Sequence, residues 1–186
     1  LLLSKSLVVQ GNGKLTITNS HIVFNCSYEG EYGIDAENGG ELYIYNSTIE
    51  GVAKGFHFYI NNGSELYLRD SRIVNSYTSL HPLLFSGSVV ARDSTMTIES
   101  CEFERSGYIT VYNGDAVISG CYIHNTTTGV KMVQSSLKLV DSVFDINPHG
   151  RTVPVCTIIG DEGKVQIAGC RIENHVRLLG GHTILL

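Results

Sequence analysis

Apolar and polar residues recur along this chain in a fixed phrase of eight positions, and each phrase is broken by a bend. The clearest copy is Leu15-Thr16-Ile17-Thr18-Asn19-Ser20-His21-Ile22; others begin at Leu42, Leu66, Met96, Ala116, Leu137 and Val165. Slots one, three and eight are apolar, although Ala116 fills the first slot of its copy weakly. Slot six is always Ser or Cys: Ser20, Ser47, Ser71, Cys101, Cys121, Ser142 and Cys170. Slot five is Asn19, Asn46, Asp70, Ser100, Gly120, Asp141 or Gly169. Gly, Asn and Asp tolerate positive φ, so slot five predicts a sharp left-handed bend, with Ser100 as the exception in residue type. Slots one to four then form one short strand and slots six to nine another. Because the bend resets the alternation, slots one, three, six and eight all face inward.

A third strand is expected ahead of each copy. Its last inward residue falls at Val9, Ala36, Ile60, Val90, Val111, Met132 and Ile159, five or six positions before slot one. Gly/Asn/Asp turns such as QGNGK, ENGGE and NNGSE separate that strand from the phrase. Three short strands per repeat of roughly 20 to 30 residues describe a coil, and stacked coils place like residues in columns at about 4.8 Å. An antiparallel sandwich of many short strands is the competing architecture, but it has no use for a Ser/Cys column repeated in every copy. The expectation is an all-β, right-handed, single-stranded parallel β-helix of about seven coils, forming one domain over residues 1–186. Ile17, Ile44, Leu68, Ile98, Ile118, Leu139 and Ile167 should touch in a single file inside it.

In its periodicity and bend position the chain resembles the right-handed parallel β-helix repeat family of pectate-lyase-like, carbohydrate-binding and sugar-hydrolase proteins. In that family the polysaccharide cleft lies among loops on the scaffold. The resemblance therefore implies a polysaccharide or other glycan as the partner, and an extracellular or cell-surface location.

Composition narrows the function classes. Net charge is −5 without basic runs, so no stripe for nucleic acid and no polybasic membrane patch is present. Apolar content of 42% suffices for a continuous core, and no transmembrane stretch occurs. Leu1-Leu2-Leu3 is too short for a signal-peptide core and reads as the start of a strand. Residues 1–9 and 182–186 both read as the third strand type. The chain is thus expected to begin and stop inside the solenoid, its open ends covered by other copies or by a larger chain.

Of the five cysteines, Cys101 and Cys121 share a column on adjacent coils. They read as stacked buried thiols in place of Ser, with a disulfide as the alternative; no spacing suggests a metal or redox motif. Sequons begin at Asn25, Asn46, Asn62 and Asn125. Asn46 is accounted for by the bend, which leaves Asn25, Asn62 and Asn125 as glycosylation candidates, Asn62 foremost in its exposed turn.

Long segments near Asn75–Pro82 and Asn147–Pro154 contrast with short fourth and fifth coils. This predicts a saddle with walls at coils three and six. Alternation points Tyr108, Thr110, Tyr112 and Lys131 outward on its floor, with His57 and Tyr59 extending it, Tyr77 and His81 on one wall, and His149 and Arg151 on the other. Tyrosine suits sugar stacking, although it is also a good strand former. The carbohydrate-binding candidates are Tyr59, Tyr77, His81, Tyr108, Tyr112, Lys131, His149 and Arg151.

Catalytic chemistry has less support. A lyase needs several carboxylates for Ca²⁺ beside a base, and no acidic trio accompanies Lys131 or Arg151. A glycosidase needs two carboxyl groups about 5 to 9.5 Å apart. Slot nine aligns Glu50, Glu104, His124, Asp145 and Glu173, a column that reads best as a solvated face where His124 screens two carboxylates. The histidines show no i, i+4 zinc pair. No cofactor or metal is expected. The expectation is a non-catalytic module, structural or carbohydrate-binding; a polysaccharide-degrading enzyme with its site over coils four and five is the alternative.

Overall fold

The computed structural model describes residues 1–77, 87–126, 129–145, 156–172 and 175–185. The chain winds into a solenoid with three parallel faces. Slots one to four build the first face, from Lys14–Thr18, Glu41–Tyr45, Glu65–Arg69, Thr95–Glu99 and Asp115–Ser119. It continues in the second halves of Val130–Val140 and Cys156–Ala168. The second face begins with Leu2–Leu3 and runs through His21–Phe24, Thr48–Gly51, Arg72–Val74, Glu102–Glu104, Tyr122–His124 and Val143–Asp145 to Arg171–Ile172. The third face holds Leu7–Gln10, Gly33–Glu37, His57–Asn61, Val89–Arg92 and Ile109–Tyr112, and then the opening halves of the long strands. Among the described residues no helix is long and apolar enough to cross a membrane.

The register realises the columns. Ile17, Ile44, Leu68, Ile98, Ile118, Leu139 and Ile167 are successive partners, and the middle members are sealed from solvent. Slot eight runs parallel to them through Ile22, Ile49, Ile73, Phe103, Ile123 and Phe144, all buried. Each such side chain contributes roughly 1.5–3 kcal/mol by leaving water. Phe24, Phe56 and Phe58 fill the corner between the second and third faces, with ring centroids 5.1 and 5.3 Å apart.

All seven slot-five residues are left-handed, with φ from 44° at Asn46 to 62° at Gly169. Ser100, at 52°, joins them despite its type. Slot six explains why the bend holds. Its hydroxyl or thiol donates to the carbonyl two residues back: Ser20 to Thr18 at 2.8 Å, Ser47 to Tyr45 at 2.7 Å, Ser71 to Arg69 at 2.7 Å, Cys101 to Glu99 at 3.1 Å and Ser142 to Val140 at 2.8 Å. Beyond the first coil the hydroxyls also accept a backbone N–H from the preceding coil: Ser47 from Ser20, Ser71 from Ser47 and Ser142 from Cys121, each at 3.1 Å. Only a short side chain with both a hydrogen and a lone pair performs the two roles, which accounts for Ser or Cys in every copy. Cys101 and Cys121 are free buried thiols, and burial pushes them up to about 12 and about 11.

Four expectations about placement are corrected. Ala91, not Val90, lies level with Ile60 and Val111, and Gly160, not Ile159, lies level with Met132. The turn into the phrase is one residue shorter from the fourth copy onward. The second and third copies spend two left-handed residues there, Asn38-Gly39 and Asn62-Gly63, whereas the fourth and fifth spend Asp93 or Asn113 alone. Leu2–Leu3 pairs with Val23 and Phe24, so it belongs to the second face and only Leu7–Gln10 to the third. Thr183, Ile184 and Leu185 align with Lys164, Val165 and Gln166, which places them on the first face.

Candidate functional site

The sites are outward positions on these faces, set by strand alternation. On the third face Tyr59, Tyr108, Tyr112 and Lys131 are half-buried. Tyr59 and Lys131 occupy one column with Val90 and Thr110 between them, and Tyr112 stands two positions along its strand from Thr110. The Lys131 ammonium lies 5.7 Å from the Tyr112 ring centroid, within cation–π range. Tyr77 is 37% exposed, and its ring passes close over Gly107, where an added Cβ would meet Tyr77 Cδ2 at 2.7 Å. His81, His149 and Arg151 lie outside the described residues, as does most of both predicted saddle walls.

Two supposed floor residues are not open. Thr110 is wholly buried, as is its column neighbour Val90 at 1%. His57 is 5% exposed because the segment after the first coil folds over it. Its Nδ1 lies 3.0 Å from the Gly30 carbonyl and its Nε2 3.0 Å from Asp35 Oδ1, while its ring packs on Tyr59 at 4.6 Å. Gly33 lies directly beneath this imidazole, where a Cβ would meet His57 Cδ2 at 2.6 Å. His57 is therefore an internal tie and not a contact surface.

The second face carries the charged column in the expected order, Glu50, Glu104, His124 and Asp145, with Val74 between the first two; Glu173 lies outside the described residues. Its pairing differs from expectation. His124 Nε2 meets Glu102 Oε1 at 2.8 Å, one column over, rather than bridging Glu104 and Asp145. Alternation brings slots seven and nine to the same side, which puts Glu102 within reach. Tyr122 stacks on His124 with centroids 4.4 Å apart, fixing the ring. Glu102, Glu104 and His124 offer ligand atoms within 4.8 Å of one another. Arg72 already lies among them, its Nε 3.3 Å from Glu102 and its Nη2 bonded to Glu104. Arg72 thus ion-pairs with both carboxylates.

The densest aromatic surface among the described residues was missed by sequence reasoning. Tyr43, Tyr45 and Tyr67 cluster on the first face, with centroids 6.3, 6.2 and 5.6 Å apart. Tyr43 and Tyr45 fill slots two and four of the second copy and Tyr67 slot two of the third, positions that alternate outward. The Lys14 ammonium lies 3.9 Å from the Tyr43 centroid and 3.3 Å from Glu41. The Tyr67 hydroxyl donates to Glu99 Oε2 at 2.5 Å, and that bond pushes the phenol up. Burial, followed by a hydrogen bond with Glu41, pushes Tyr43 up. The signal is present in the paired phrases LYIY and LYLR, whose tyrosines alternate outward on adjacent coils.

The glycosylation candidates Asn25, Asn62 and Asn125 are all exposed, as is Asn46. Asn62 Nδ2 donates to Asn38 Oδ1 at 3.3 Å and Asn46 Nδ2 to Asn19 Oδ1 at 2.7 Å, polar rungs along the solenoid axis.

No curated protein and no solved structure gives a significant match to this chain. One family model, described as the right-handed β-helix region, matches residues 6–172. With parallel faces, left-handed bends and in-register columns running through that same span, the chain belongs to the right-handed β-helix family.

Proposed function

We propose that this chain is a non-catalytic, extracellular or cell-surface β-helix module that binds carbohydrate on its outer faces. The observation that carries the reading is the tyrosine cluster of the first face, where three rings project from two adjacent coils of a rigid scaffold. Tyrosine joins an apolar ring, which packs on the C–H face of a sugar, to a hydroxyl that hydrogen-bonds at its edge. Parallel strands fix the rings before a ligand arrives, which lowers the ordering cost of binding. Tyr59, Tyr108, Tyr112 and Lys131, with Tyr77 nearby, extend the contact surface; His81, His149 and Arg151 remain candidates from the sequence and lie outside the described residues. The Arg72 bridge to Glu102 and Glu104 favours the non-catalytic reading over hydrolysis or β-elimination on the second face.

The test is a glycan array probed with the purified chain, followed by mass spectrometry of any bound oligosaccharide after prolonged incubation. Retention of a glycan at unchanged length is the expected result. Shortened oligosaccharides would replace this reading with the enzymatic one, and an array without retained glycans would end it.

A further inference from the structure

The first-face cluster also bears on which glycan is bound, an inference that rests on the carbohydrate-binding reading above. We infer that Tyr43, Tyr45 and Tyr67 form a site for a single chain of neutral sugars, and that this site rejects both polyuronates and flat crystalline polysaccharide.

Shape supplies the first argument. The three ring planes are inclined to one another by 28°, 35° and 50°. Rings so inclined cannot lie together on one plane, so a crystalline face contacts one ring at a time. A lone glycan chain twists about its own axis and presents successive sugar faces at changing angles. Centroid separations of 5.6 to 6.3 Å set neighbouring rings about one sugar ring apart.

Charge supplies the second. Three carboxylates lie beside the rings, Glu41 and Glu65 near Tyr43 and Glu99 bonded to Tyr67, with Asp70 behind Arg69, against two cations, Lys14 and Arg69. Both cations are engaged, Lys14 with Glu41 at 3.3 Å and Arg69 with Asp70 at 3.1 Å. A uronate approaching the rings meets an excess of negative charge and no unpaired cation in the cluster. Close like charges of this kind oppose association. Sugar hydroxyls, in contrast, find acceptors: Glu99 already receives the Tyr67 hydroxyl, Glu41 lies beside Tyr43, and both carboxylates retain further lone pairs. That bond holds the Tyr67 ring at its tip, and the Lys14 ammonium 3.9 Å from its centroid braces Tyr43, so the site is set before the ligand arrives.

The experiment is affinity electrophoresis of the purified chain through gels containing hydroxyethyl cellulose, mixed-linkage β-glucan or galactomannan as neutral probes, and polygalacturonate or alginate as polyuronate probes. A sedimentation assay with microcrystalline cellulose accompanies it. Retardation by at least one neutral probe is expected, without retardation by polyuronates and without sedimentation. Tyr67→Ala and Tyr43→Ala should each weaken binding about tenfold, the loss of one stacking contact. Tyr67→Leu keeps the apolar bulk that supports the face and should weaken binding similarly. Glu41→Gln with Glu99→Gln should admit polygalacturonate.

Three results overturn the inference while leaving carbohydrate binding intact: polyuronate retardation that Tyr67→Ala abolishes, sedimentation with microcrystalline cellulose, or neutral binding unchanged in both tyrosine variants. Failure of every polysaccharide to bind would overturn the inference together with the functional reading beneath it.

Discussion

Replacing Ser71 by Ala tests whether the Ser/Cys column holds the bends. The Ser71 hydroxyl is 5% exposed, donates to the Arg69 carbonyl at 2.7 Å and accepts the Ser47 N–H at 3.1 Å. The Arg69 carbonyl keeps a partner in the variant, because the Asn46 N–H also donates to it at 3.1 Å. The Ser47 N–H loses its acceptor. Leaving one buried donor unmet costs about 1–3 kcal/mol, so Ser71→Ala should destabilise by about 2 kcal/mol. Ser20 provides the internal comparison. It lies on the first coil, is half-buried, and its hydroxyl only donates, to Thr18 at 2.8 Å. Ser20→Ala should cost about 0.5 kcal/mol, the low end for a single hydrogen bond. Ser71→Cys should fall between them, since Cys101 makes the same bond to Glu99 at 3.1 Å. Urea unfolding read by far-UV circular dichroism and by tyrosine fluorescence gives the three midpoints; coincidence of the two probes checks that one cooperative transition is being compared. A Ser71→Ala midpoint no lower than that of Ser20→Ala would refute the role assigned to slot six.

Two further outcomes follow from the same columns. Ser100 adopts φ 52° in a slot where Asn19 and Asn46 sit at 49° and 44°; Ser100→Asn should therefore raise stability by about 0.5 kcal/mol, and a lower unfolding midpoint would contradict the strain argument. Cys101 and Cys121 keep their protons to about 12 and about 11, against an ordinary value of 9.0. Unfolded thiols ionise first as pH rises, so the folded state binds more protons above pH 9, and stability should fall between 9 and 11, by at most about 1.4 kcal/mol per pH unit for each thiol. Below 9 these thiols should leave stability unchanged. Urea midpoints along an alkaline series, with Cys101→Ser/Cys121→Ser as control, check this, and an equal slope in the control would exclude the thiols as its source.

The fold was legible because its determinants are local and repeated. A left-handed residue followed by a short hydroxyl or thiol recurs at the same offset, and each recurrence strengthens the rest. The errors at Val90 and Ile159 arose where a turn loses one residue. Neither neighbour's polarity reveals that loss, since Val90 is apolar and points outward while Ala91 points inward. The site was less legible. Alternation placed Tyr59, Tyr112 and Lys131 on the outside correctly, but it carries no information about what lies over an outward residue. His57 and Thr110 are outward by count and covered in space. The partner of His124 was likewise a matter of distance: the column predicted Glu104 and Asp145, and the diagonal neighbour Glu102 is nearer its nitrogen. Tyr43, Tyr45 and Tyr67 needed only the comparison of two adjacent copies at slots two and four.

The three corners of the coil are not equivalent. The bend at slot five spends a single residue in every copy, and the turn into the first face varies by only one. Nearly all the difference in coil length is therefore spent between Val23 and Ala36, Glu50 and Ile60, Val74 and Ala91, Glu104 and Val111, His124 and Met132, and Asp145 and Gly160. The molecule is bound like a book, with two edges trimmed flush and the third left uncut. Coil length changes at that margin, page by page, while the stitching that aligns every other leaf keeps its register.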